Sequence, residues 1–461
     1  MFCCGLNSCV GGELMVDKIR SGLLQFSRSD IKNVILVWIL FTSTAPFQFY
    51  AMIPYHPYKL LVLLVVVVML AVMLRDGIKK SNNVIFYILI IQAIYSLLTI
   101  FIHAISLDSF YMEDGYIYLN LFIQLIVVFI SFAFINNYGL LHKVAVSTVP
   151  VMVVMAAFGV VILFLGLIVN IQPFSFTALA DHRDISNYIL TFSSSVSDLG
   201  FASIIRSAGY FDEPGTFAYY ITIVLLINKM YGYSKLAERL LIGFGLCTMS
   251  LAFFISVTLY YFIFGMLEGR LKVVIWMAVI AGLVISAIVE LKDRSEIGRV
   301  VYELTVYRVL PPDESEDKLF KGDNRSENFA YAKQAFSQAP FFGHGMSAHT
   351  NEKNEFVGKL CCNPLHPLAT EGLVGTFIYF LVFIYWGFLI LKNKPFDYIS
   401  AGAWIIIFIN MMQRPGFSGG TFGYFVFIFL LEATRWRIMQ QRLTLPRVVS
   451  YQASSTSVGK N

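Results

Sequence analysis

The chain has 461 residues, 57% of them hydrophobic and 14% charged, with a formal net charge of +5 and a mean hydropathy of +0.70. Soluble domains carry roughly 25% charged and 45–50% apolar residues, so these figures exclude an ordinary soluble enzyme and describe a polytopic membrane protein. The positive balance reflects basic loops rather than nucleic-acid binding, since no basic stripe is interleaved with aromatics.

Residues 1–33 are mixed and polar and read as a cytoplasmic N-terminal segment, with no apolar run or cleavage site of the kind a signal peptide needs. Cys3, Cys4 and Cys9 fit a lipidation or redox site, or incidental thiols. None of the six cysteines has zinc-type paired spacing, and adjacent Cys361 and Cys362 are poorly placed for an ordinary disulfide.

A run of about 20 apolar residues crosses a bilayer. Such runs fall near 34–53, 59–74, 84–107, 116–135, 144–170, 213–230, 237–250, 252–268, 272–290, 366–391, 398–412 and 418–434, twelve in all. The stretch 238–267 reads either as one tilted helix or as two with a turn near Ser250. Two helices put the basic clusters around Lys18–Lys32, Arg75–Lys80, Lys143, Lys229–Arg239, Arg270–Lys272, Lys392–Lys394 and Arg435–Arg447 on one side. Positive loops face the cytoplasm, so both termini are expected there. The predicted fold is therefore an all-α polytopic protein: five spans in 34–170, four in 213–290 and three in 366–434, with a cytoplasmic tail over 435–461. Two long outer loops occupy 171–212 and 291–365.

The first outer loop ends in a knot of charge at the mouth of an apolar helix. Arg206, Gly209, Tyr210, Asp212, Glu213 and Pro214 stand directly before an apolar helix. Charge is costly in such a protein and marks function. Arg206 and Arg414 lie on the side that disfavours basic residues, and so does Arg183, for which a snorkelling role suffices.

Three helices are expected to open alike, at Glu213-Pro214, His366-Pro367 and Arg414-Pro415. Proline suits a first helical turn, and the free N–H groups there favour anions. In the second loop, Asn324 and Glu327 predict a helix start with Arg325 in its first turn. Phe329, Ala332, Ala335 and Phe336 share one face of that helix, which should lie on the outer membrane surface and end before Pro340. Gly343-His344-Gly345 follows as a tight turn, then His349. The two histidines lack a third ligand, so no metal is expected. His349 is a surface residue or part of a site. His366, ahead of Glu371-Gly372-x-x-Gly375, is a general base or an interfacial capping histidine.

Together these residues resemble the O-antigen polymerase and ligase superfamily of bacterial envelopes. The resemblance rests on Arg206-x-x-Gly209-x-Phe211-x-Glu213-Pro214, on Arg325 with the later Gly343-x-Gly345, on His366 with Gly372-x-x-Gly375, and on Gln413-Arg414-Pro415. The first five spans match only in hydropathy. In one respect the chain departs from the family: Cys362-Asn363 stands where the family often has His-Asn, so His349 is kept in reserve for His366.

The resemblance implies a glycosyltransferase of GT-C type in a bacterial inner membrane. Its substrate would be an undecaprenyl-diphosphate-linked glycan, its partners a chain-length regulator and a flippase, and no cofactor would be needed. Arg206 and Arg325 would hold the diphosphate, with Arg414 as a third clamp. His366, Asp212 or Glu213 would accept a proton, and Gly209, Tyr210, His349 and Gln413 would line the substrate. An O-antigen ligase is the nearest rival, and a lipid-linked oligosaccharide transporter the rival from another class.

Overall fold

A computed structural model describes mainly residues 27–44, 58–79, 83–106, 112–169, 175–178, 184–188, 191–198, 203–211, 213–269, 271–295, 325–346, 363–413 and 420–444. Five helices come first: α1 (Arg28–Thr42), α2 (Tyr58–Asp76), α3 (Val84–Ser106), α4 (Met112–Asn137) and α5 (Leu141–Val169). Four strands follow: β1 (Ser175–Ala178), β2 (Asp184–Tyr188), β3 (Thr191–Asp198) and β4 (Ser203–Gly209). The remaining helices are α6 (Pro214–Tyr231), α7 (Lys235–Leu246), α8 (Leu251–Leu267), α9 (Leu271–Leu291), α10 (Arg325–Gln338), α11 (His366–Tyr379), α12 (Leu381–Lys392), α13 (Tyr398–Gln413) and α14 (Gly420–Thr444).

Helix occupies part of every apolar run expected to cross the membrane. Among the described residues, three helices are long and apolar enough to do so, over Val84–Ile105, Asp114–Asn137 and Leu141–Gly166. The pair α11 and α12, bent by 44° at Phe380, makes a fourth. Gln92 of α3 braces that bend: its Nε2 donates to the carbonyls of Ile378 and Tyr379 at 3.1 and 3.0 Å. A buried amide that satisfies freed carbonyls is how a kinked helix survives away from water.

The count of twelve spans is not reached on length. The segment 238–267 forms two helices, but α7 has only 12 residues, about 18 Å at 1.5 Å per residue. That is too short for a hydrocarbon core of about 30 Å. As a hairpin that enters and leaves on one side, α7 and α8 would keep every later helix in its expected direction.

The first long loop corrects the all-α expectation. It is an antiparallel meander in the order β1-β2-β3-β4, with Arg206 opposite Ser194 and an irregular register between Ser195 and Ser197. The sheet packs on α5 at Gly159, where an added Cβ would lie 1.9 Å from Ser207 Oγ. Gly159 falls inside the apolar stretch Leu141–Gly166. Non-helical backbone at such a depth must be covered by protein, and Ser207, Ala208, Tyr210 and Phe211 are all buried.

The core gathers around α6. Fifteen of its 18 residues are buried, as expected of a helix that is apolar all round and enclosed by others. Phe211 stacks on Phe217 and Tyr220 at 5.3 and 4.9 Å. Phe47 and Phe422 extend the cluster to α14.

The molecule has two unlike ends. The sheet, the α7–α8 turn, the end of α3 and the starts of α4, α6 and α11 make the loop end. Arg75, Lys143, Lys229, Lys392, Arg435, Arg437 and Arg442 mark the other, basic end.

Candidate functional site

The loop end is organised around a break in α11. Gly372 sits inside the helix at φ 62 and ψ −170, a conformation open only to glycine. The break strands two carbonyls before it and two N–H groups after it. The turn at 340–345 satisfies all four. His344 and Gly345 N–H donate to Ala369 and Thr370 O at 3.0 and 2.9 Å, and Leu373 and Val374 N–H donate to Pro340 and Phe341 O at 2.9 and 3.0 Å.

Glycine is required on both sides of this interlock. At Gly343 (φ +72) a Cβ would lie 2.2 Å from Thr370 O, and at Gly372 it would lie 2.4 Å from Phe341 C. The Gly343-x-Gly345 and Gly372-x-x-Gly375 motifs therefore meet as one interlocked unit.

Ionisable side chains gather at the interlock. Glu371, 3% exposed, accepts from the Tyr118 hydroxyl through Oε1 at 3.0 Å. Its Oε2 has no hydrogen-bond partner among the described residues, nor has the Tyr95 hydroxyl. Both face the space that a side chain at Gly375 would fill, 3.2 and 2.7 Å from the Cβ position. Asp114, in the first turn of α4, is fully buried, with Gly345 held against its carboxylate. His103, in the last turn of α3, donates from Nε2 to Phe342 O at 2.9 Å and lies edge-on to Tyr118 at 5.4 Å. Burial, then the neighbouring His103, hold the His344 imidazole below its ordinary range. No family model, no curated protein and no solved structure matches this chain.

His366 stands at this interlock as the first residue of α11, with Pro367 in the first turn. It is half-buried. Asn363 shapes the approach, its Oδ1 accepting from Leu365 N at 2.9 Å. The helix α10 packs beside it through Ala332 and Ala335 against Ala369. Small side chains permit that close approach. Tyr331 and Leu365 pack against the same three alanines, while Phe329 is 42% exposed.

The Arg206 group occupies the same end. Arg206 is half-buried on β4, and its Nε and Nη2 donate to Thr248 and Met249 O at 3.2 and 3.3 Å. Those carbonyls close α7, where Met249 adopts φ 49. A cation at a helix C-terminus satisfies carbonyls that the helix leaves open. Arg206 thus ties the sheet to the α7–α8 turn. Gly209 (φ +57) lies against the Phe217 ring, and burial pushes the Tyr210 phenol up. Glu213 is the N-cap of α6 with Pro214 in the first turn, and Thr216 Oγ1 reaches its Oε1 at 3.5 Å.

Two of the three proline-led helix starts take the expected form, at Pro214 and Pro367. The third, at Arg414-Pro415, lies outside the described residues, and α14 is described from Gly420. Arg325 opens α10 and Gln413 closes α13, but their side chains lie outside the described residues. So do Asp212, His349 and Arg414. Among the described residues no three His, Cys, Asp or Glu side chains converge as a metal site would need.

Glu371, Asp114 and His103 were missed as site residues. The sequence signal for Glu371 is a lone carboxylate five residues into an apolar run, which is enough to flag function.

Proposed function

We propose that the protein joins glycan repeat units carried on a lipid diphosphate, at the outer face of a bacterial inner membrane. In this reading it is a twelve-helix GT-C-type polymerase with its loop end outside. The observation that supports it best is the interlock: two motifs of the resemblance, 29 residues apart in sequence, close on each other against a buried carboxylate in the helix that His366 opens.

The hydroxyl oxygen of one lipid-linked unit forms a bond to the anomeric carbon of another. The bond from that carbon to the phosphate oxygen breaks, and its electron pair leaves with undecaprenyl diphosphate. Arg206 has committed two nitrogens to the α7–α8 turn, so its main part is to fix the segment that carries Glu213 and the start of α6. Arg325, with Arg414, is then left to neutralise the departing diphosphate. His366 takes the hydroxyl proton, with Asp212 and Glu213 as the other acceptors.

The test is chain elongation by purified protein in detergent with lipid-linked repeat units. Elongation that persists in both Arg325→Ala and His366→Ala would overturn this assignment of roles. Transfer to lipid A core in place of elongation would identify a ligase instead.

One observation favours a transporter. A broken helix with a buried carboxylate is how transporters build a substrate site. Such sites lie near mid-membrane, however. Glu371 is five residues from the start of α11, about 8 Å along the axis, and His103 and Asp114 also stand at helix ends. Turnover in detergent, with no membrane to cross, separates the two.

A further inference from the structure

At the basic end, α12 and the last turns of α14 leave a groove of about 330 Å³. One face of α14 forms its wall. Arg435, Ile438, Met439, Arg442 and Leu443 follow the spacing i, i+3, i+4, i+7, i+8, which is a single helical stripe. Leu389 of α12 faces them. The stripe is apolar in the middle with an arginine toward each end, and the backbone positions of Arg435 and Arg442 are about 10 Å apart along the axis.

Neither arginine is spent. Arg442 gives Nη2 to Asn393 Oδ1 at 3.0 Å and is otherwise exposed. Arg435 rests over the Tyr385 ring at 5.9 Å and donates to its hydroxyl at 3.3 Å. It also makes a long ion pair with Glu432 at 3.9 Å, too far for a tight bidentate pair. Exposed Lys392 adds a third cation at the rim, and no carboxylate lines the groove among the described residues. Leu391, Phe388 and Leu443 continue the apolar surface outward, 75%, 55% and 58% exposed.

We propose that this groove holds an anionic phospholipid. Its phosphate would sit between Arg435 and Arg442, and an acyl chain would lie along Leu389, Ile438 and Met439. Charge complementarity selects the headgroup, since guanidinium groups pair with phosphate oxygens through parallel N–H bonds. The apolar floor selects a lipid over a free anion. Basic pockets between membrane helices at the cytoplasmic side recognise anionic headgroups in this way. The site is at the opposite end from the interlock, so it is separate from any carrier lipid bound there.

Native mass spectrometry of the full-length protein, released from phosphatidylglycerol or phosphatidylcholine nanodiscs, tests this. The wild type should retain phosphatidylglycerol selectively. Arg435→Gln with Arg442→Gln should weaken retention about 30-fold. Met439→Trp, which fills the groove and leaves the charges in place, should also release the lipid, so the result does not hang on one variant's folding. Equal retention of the two lipids, undiminished retention in both variants, or displacement by inorganic phosphate would each overturn the proposal.

Discussion

Asp397 at the basic end and Glu371 at the loop end are both buried carboxylates, and the bundle treats them in opposite ways. At the basic end Asp397, 1% exposed, has both oxygens occupied. Arg437 Nε and Nη2 reach them at 2.8 and 3.1 Å, Gln441 adds 3.3 Å, and Ser400 Oγ donates as well. Arg437 Nη1 also reaches Met230 O at 3.3 Å, so the pair fastens α13, α14 and the end of α6 together. At the loop end Glu371 has one oxygen on Tyr118 and the other on nothing described. A buried charge that is fully paired stabilises one arrangement. A buried carboxyl with an open lone pair is tolerated where chemistry uses it. The difference is between a fully paired carboxylate and one whose second oxygen has no partner among the described residues.

The most disruptive way to break this contrast is at the interlock itself. Gly372→Ala puts a Cβ 2.4 Å from Phe341 C at φ +62. It should cost about 3 kcal/mol or more and lower the melting point of purified protein sharply. A variant that melts with the wild type would remove the interlock from the argument.

The contrast predicts opposite outcomes for two isosteric changes. Asp397→Asn leaves the half-buried Arg437 without its counter-charge and should cost about 2–3 kcal/mol, read by denaturant titration. Glu371→Gln should cost less than about 1 kcal/mol, because the amide replaces a carboxyl that lacks a cationic partner, yet it should reduce chain elongation strongly. If both variants were merely unstable, Glu371 would be another fastening.

A smaller effect is expected at Arg206. Arg206→Ala should cost about 2 kcal/mol through the two lost carbonyl contacts. Hydrogen exchange should rise in 244–252, whatever happens to activity. Unchanged exchange there would return Arg206 to the role of a free clamp.

Two pH effects should be smaller still. The His344 imidazole is held below its ordinary value of 6.5, so the unfolded chain takes up a proton first. The stability it contributes is therefore complete above pH 6.5 and is lost as the pH falls below that value. His344→Gln should flatten that part of a melting-point profile. At the basic end, Lys143 and the Ser27 backbone hold Asp30 at about 2, from 3.8. Its contribution is present above pH 3.8 and disappears as the pH falls toward 2. Asp30→Asn should cost about 1 kcal/mol at neutral pH, through the ion pair and the capping box at Ser27.

Much of the helical layout was legible because apolar runs and prolines are local signals. Pro214 and Pro367 mark helix starts in the sequence and in the structure. The strands were not legible. The third strand, with Thr191, Ser193, Ser194 and Ser195, lacks the alternating apolar pattern by which a strand is recognised, and the sheet is secured instead by its contact with α5. Arg206 was legible as an unusual cation, but not as a cap, because Thr248 and Met249 come more than 40 residues later. Glu371 was visible as a charge in an apolar run. Its meaning depends on Tyr118 and Tyr95, which belong to distant helices.

Composition and hydropathy by themselves determined a helical membrane protein, the helix starts at the prolines, and glycine-bearing motifs worth attention. Those properties depend on residues close together in the chain. Tertiary structure alone decided that Gly343-x-Gly345 closes the break at Gly372, that Arg206 serves the α7–α8 turn, and that Asp397 is fully paired while one oxygen of Glu371 has no partner among the described residues. Each of those depends on which backbone groups lose their own partners and which distant residues arrive to replace them, and no local pattern encodes that.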